Sequence, residues 1–108
     1  MDLQERIKAF ALLGDYLRSN FYSDMSDKVT EACLKNAWFT KDDIKRALLA
    51  WGDQLTEDQL YAWISPYSLK EVDSSSRVLI IMAGNIPLVG FHDLLSVLIS
   101  GNKAVVKL

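Results

Sequence analysis

The chain has 108 residues, half of them hydrophobic and 24% charged, with a formal net charge of −2. That length supports one small domain with a modest core, and that charge provides no global electrostatic case for binding nucleic acid. The single cysteine, Cys33, excludes an internal disulfide framework and a cysteine-based metal site, and no apolar run reaches the ~20 residues of a membrane span.

From the N-terminus, Leu3, Ile7, Phe10, Leu17 and Phe21 recur at intervals of three, four and seven. This predicts an amphipathic helix over residues 2–21 with that stripe facing a core. Arg6, Lys8, Asp15 and Arg18 fall off the stripe. Gly14 falls on it, at a cost of roughly 1 kcal/mol of helix propensity relative to Ala, and so marks a point of close packing. A second, weaker helix is expected over residues 23–36. Ser26 is its candidate N-cap, Asp27 suits the helix dipole, and Val29, Ala32 and Cys33 form its apolar face. Cys33 has no base or oxyanion donor near it in sequence and reads as a small packing residue.

Two further helices open on similar devices. Thr40-Lys41-Asp42-Asp43 and Thr56-Glu57-Asp58-Gln59 have capping-box spacing. Ile44, Ala47, Leu48 and Trp51 follow the first, which Gly52 is expected to end. Leu60, Trp63 and Ile64 follow the second, which Ser65-Pro66 stops. The paired carboxylates Asp42-Asp43 and Glu57-Asp58 read as helix N-terminal charge rather than as acid–base pairs or metal ligands. Trp38, Trp51 and Trp63, one per segment, read as anchors of a helical core rather than a stacking platform for bases. Residues 1–65 are thus read as a helical region and 66–76 as an exposed linker.

Residues 77–108 change character, with three basic residues and one acidic, against nine and thirteen before them. Val78–Ala83 is an unbroken apolar run that fits a strand buried on both faces. Gly84-Asn85-Ile86-Pro87 breaks it, Pro87 suits a first helical turn, and residues 88–100 predict a helix. Gly101-Asn102 is a stop signal, and Lys103–Leu108 predicts a second strand. Strand, helix and strand make a right-handed parallel βαβ unit. The fold class expected is α/β.

The segment Met82-Ala83-Gly84-Asn85-Ile86-Pro87, the apolar helix, and Gly101-Asn102-x-x-Val105-Val106-Lys107 resemble the opening of the dinucleotide domain in the aldehyde dehydrogenase superfamily. The form of the first segment is more similar to the acyl-CoA reductase branch, the LuxC-type fatty-acid reductases. Trp38-Phe39-Thr40 and Ala50-Trp51-Gly52 resemble the N-terminal helical part of that branch. Two features depart from the pattern: the spacing from Asn85 to Gly101 is about one residue short, and Leu108 stands where many members have Pro.

The resemblance implies an NAD- or NADP-dependent reduction of an acyl thioester to an aldehyde through an acyl-cysteine. It implies that Asn85 donates a side-chain N–H to the oxyanion, a type of contact worth roughly 3–4 kcal/mol in catalysis. It also implies that the backbone of Ile81, Met82 and Gly84 lies against the cofactor and that Lys107 bonds the adenosine ribose. From the residues alone, Asn85 reads rather as a turn or capping residue, and Lys107 as a charge guarding a strand edge. His92 and Asp93 are helix-start neighbours that do not face each other, so no His–Asp pair is expected.

The nucleophilic cysteine of that family has no counterpart in the chain. The expectation is an N-terminal part of a cytoplasmic reductase, inactive by itself and associating with its own copies through exposed strands. The alternative is a helical interaction module with a βαβ tail and no catalysis. No metal site is expected.

Overall fold

A computed structural model describes residues 2–36, 39–67, 76–82 and 88–107. Helix α1 (Leu3–Ser19) is capped by Asp2, whose carboxylate accepts the Glu5 N–H at 2.8 Å. The expected end at Phe21 is not reached. A one-turn helix, α2 (Phe21–Asp24), follows instead, and α3 (Ser26–Lys35) starts after Met25. The predicted second helix is thus split, and Ser26 is not its cap. Met25 occupies that position with no side-chain cap, and its carbonyl accepts the Val29 N–H at 2.9 Å. The Met25 N–H in turn reaches the Phe21 carbonyl at 2.8 Å, so one turn feeds directly into the next and leaves no extended entry for a serine cap.

The two threonine caps form as expected. Thr40 accepts the Asp43 N–H at 3.1 Å and opens α4 (Lys41–Gln54); Thr56 accepts the Gln59 N–H at 3.2 Å and opens α5 (Glu57–Ile64). Gly52 does not end α4, which runs two residues further. It lies buried where α4 crosses α1. A Cβ on Gly14 would come within 2.0 Å of the Leu55 carbonyl oxygen, and one on Gly52 within 2.8 Å of the Arg18 side chain and 3.3 Å of the Arg18 backbone nitrogen. Gly14 therefore lets α1 and the end of α4 approach more closely than any side chain would permit, and Gly52 leaves room for Arg18 at the same crossing.

The chain is mixed α/β. Strands β1 (Arg77–Ile81) and β2 (Lys103–Lys107) pair in parallel, with Arg77 opposite Lys103 and Ile81 opposite Lys107. Between them, α6 (Phe91–Ile99) is shorter than residues 88–100. Gly90 caps it, and Pro87, expected in its first turn, lies outside the described residues. Leu88 precedes that helix in a left-handed conformation, with φ of 58°, and its side chain packs on the core. The stop is a complete Schellman motif: the Asn102 N–H reaches the Val97 carbonyl at 3.2 Å, the Gly101 N–H reaches that of Leu98 at 3.0 Å, and Gly101 has φ of 92°. The Asn102 amide oxygen then accepts the Ser76 N–H at 3.1 Å, tying the start of one strand to the entry of the other.

Buried Ile7, Leu17, Val29, Ile44, Leu48, Leu55, Leu60, Ile64, Leu95 and Ile99 form one cluster that spans the N-terminal helices and α6. Two arginines of α1 fasten this arrangement. Arg6 donates to the Ile99 carbonyl at 2.9 Å, at the end of α6, and Arg18 donates to the Gly52 carbonyl near the end of α4. Each places a cation at the negative end of a helix.

The strand pair is not buried on both faces. Ile80 is buried beneath α6, with Val78 and Ala104 half-buried beside it. On the other face Leu79 is 61%, Ile81 75% and Val105 47% exposed. The run is apolar on both sides, but the described helices cover only one of them.

Candidate functional site

Parallel pairing brings the C-terminal ends of β1 and β2 to the same edge, where ligands bind in open α/β sheets. Three of the five residues singled out in the sequence meet there. Ile81 and Lys107 are register partners with exposed side chains on the uncovered face. The Met82 N–H donates to the Lys107 carbonyl at 2.9 Å, extending the ladder by one bond. That amide is therefore committed to the sheet and is not free to bind a ligand. Gly84 and Asn85 lie outside the described residues, as does Trp38.

The half-buried Met82 side chain turns the other way, onto the start of α6. A Cβ on Gly90 would lie 2.4 Å from Met82 Cγ and 2.6 Å from its Sδ, so the glycine makes room for the thioether. The N-terminal end of α6 therefore lies beside Met82 at this edge, a dipole end that favours negative charge, with the Phe91 N–H already donated to the Leu88 carbonyl at 3.0 Å. Asp93 in that first turn opposes such an anion. Lys107 and the more distant Arg77 and Lys103 are the cations on the open face, and among the described residues no acidic side chain shares it.

A second concavity lies alongside α6. Trp51, Gln54 and Leu55 from the end of α4, Gln59, Leu60 and Trp63 from α5, and His92 and Leu95 from α6 line a cleft of about 400 Å³. The His92 ring lies 5.8 Å from that of Trp63 and 6.2 Å from that of Trp51, and Trp51 also meets Phe91 edge-on at 4.6 Å. Trp51 and Trp63 do pack on the core as expected, but both remain half-buried and turn the rest of their surface to this cleft. Sequence reasoning missed the convergence because it joins residues from three helices. The spacing of the tryptophans, a dozen residues apart with a helix reversal between, was the available signal.

Cys33 is half-buried against the core. Among the described residues no three His, Cys, Asp or Glu side chains converge as a metal site would require, and no helix is long and apolar enough to cross a membrane. Comparison of the chain with protein-family models, with curated proteins and with solved structures finds no match.

Proposed function

We propose that the chain is the N-terminal part of an NAD(P)H-dependent acyl-CoA reductase, carrying the start of its dinucleotide domain. In this reading Ile81, Met82 and Gly84 flank the cofactor, Lys107 bonds the adenosine ribose, and Asn85 donates to the oxyanion of the thioester-derived intermediate. The observation that carries it is the meeting of Ile81, Met82 and Lys107 at the C-terminal edge of a parallel strand pair. The family resemblance singles out the same three residues by sequence. Support also comes from the open apolar face of the pair, which suits a sheet with further layers.

The chain supplies one wall of a dinucleotide cleft and no counterpart of the family's nucleophile. Calorimetry with NAD and NADP is therefore expected to give nothing tighter than about 100 μM. At millimolar cofactor, the amide NMR signals of Ile81, Met82 and Lys107 should shift, and Lys107→Ala should reduce those shifts. Shifts confined to α3 and α4, or unchanged in Lys107→Ala, would contradict the reading. Acyl-CoA with NADPH should yield no aldehyde. Thiol-dependent aldehyde formation abolished by Cys33→Ala would contradict the assignment of Cys33 as a packing residue.

The alternative, a helical interaction module without catalysis, has one observation in its favour. The aromatic cleft is built entirely from the helices and owes nothing to the strands.

A further inference from the structure

The cleft between α4, α5 and α6 has no part in the reductase reading, and its lining is chemically selective. Leu55, Leu60 and Leu95, at most 3% exposed, close it from behind and present almost no surface of their own. Its walls are the rings of Trp51, Trp63 and His92, and the exposed amides of Gln54 and Gln59 stand at the rim. We propose that this cleft binds a single flat, uncharged heteroaromatic ring with a hydrogen-bonding edge, of the chemistry of a purine base.

Each part of the lining excludes something. Among the described residues no Lys, Arg, Asp or Glu lines the cleft, so it offers no lysine or arginine to a phosphate or a carboxylate, and a nucleic-acid backbone would find no such cation there. A sugar carries hydroxyls around its whole edge, and seating it against the indoles would strip them of water without replacement. A purely aliphatic chain would meet the rings but leave two glutamine amides facing methylenes. A flat ring uses both parts at once. It stacks on indole, and its polar edge meets amides, each of which carries both donor and acceptor. The volume, about 400 Å³, lies within the range of small-molecule sites.

The probe is adenine, which carries the ring without the ribose that Lys107 is proposed to bond, titrated into the isotope-labelled chain and followed at the indole N–H signals of Trp51 and Trp63. Both are expected to shift saturably. Trp63→Leu should weaken binding by about tenfold, the scale of one lost stacking partner. Trp63 also packs on the core, so Gln59→Leu, at an exposed side chain, provides a second variant that leaves the fold intact. It should weaken binding by about threefold through the lost edge contact. Octanoate and glucose should shift neither signal. Absence of a saturable response to adenine, an equal response to octanoate, or unchanged affinity in Gln59→Leu combined with Gln54→Leu would each overturn the proposal. Lys107→Ala should leave adenine binding intact. Its loss in that variant would put the ring at the strand ends and overturn the cleft, whereas failure of the cleft leaves the strand-edge reading standing.

Discussion

Gly14 shows how one residue fixes the relation of two helices. By helix propensity alone, Gly14→Ala would stabilise α1 by roughly 1 kcal/mol. In the folded chain its Cβ would strike the Leu55 backbone oxygen at 2.0 Å and the Leu55 Cβ at 2.7 Å, and backbone cannot step aside as a flexible side chain can. Gly14→Ala is therefore expected to destabilise by about 3 kcal/mol, seen as a lowered urea midpoint with unchanged m-value. A raised midpoint would contradict the crossing. The role of Gly14 was legible in the sequence because a glycine on an apolar stripe sacrifices both helix propensity and buried side chain, a loss that close backbone packing offsets. The roles of Arg6 and Arg18 were not, since their acceptors lie 93 and 34 residues away. Tyr16 is a local case: its hydroxyl donates to Asp24 at 2.9 Å, holding α2 back along α1. That bond, aided by desolvation and the adjacent carboxylate charge, raises the phenol's pKa above that of free tyrosine. The stability it contributes is complete below the ionisation of an unfolded tyrosine and is lost as pH rises through Tyr16's own higher value. Phenolate absorbance, read as the difference between wild type and Tyr16→Phe, should show this late ionisation. Asp24→Asn should move it to lower pH; no movement would contradict the bond.

Elements whose limits are set by local chemistry were the ones their residues announced. Thr40 and Thr56 each bond an amide three residues on, and each helix begins where that spacing places it. Thr40→Ala and Thr56→Ala should each cost about 1 kcal/mol in chemical denaturation. Gly101-Asn102 is equally local, and its positive φ makes Gly101→Ala costly by about 1–2 kcal/mol. A neutral Gly101→Ala variant would mean that the helix ends otherwise. Limits that depend on tertiary context were not legible. The start of α6 is delayed to Phe91 because a left-handed turn at Leu88 precedes it and Gly90 must accommodate Met82, a contact invisible from neighbouring residues. The division of residues 21–36 into α2 and α3 at Met25 was likewise not legible in the residues. At the candidate site, the pattern of apolar runs was enough to place the two strands whose ends bring Ile81 and Lys107 together. The aromatic cleft needed three helices to be placed first.

At the scale of the whole molecule, one core joins the helices to the βαβ unit, yet the strand pair is covered on a single side. A two-stranded sheet is marginal by itself, and among the described residues both strands present an unpaired edge. The radius of gyration, 15.0 Å, exceeds the about 13 Å expected of a compact chain this long, in keeping with an extended shape of 43 × 28 × 21 Å. Apolar Leu79, Ile81 and Val105 on the open face are flanked by Arg77, Lys103 and Lys107, so association of like copies through it should strengthen as salt screens those cations. The reductase reading rests on this face being the open half of a larger layered sheet. The most direct measurement is light scattering across a dilution series, at low and high salt, for the wild type and for Val105→Lys. The wild type should rise above its monomer mass of 12.2 kDa with concentration, more so at high salt, while Val105→Lys should remain monomeric. A monodisperse monomer at every concentration and salt, in both proteins, would contradict it.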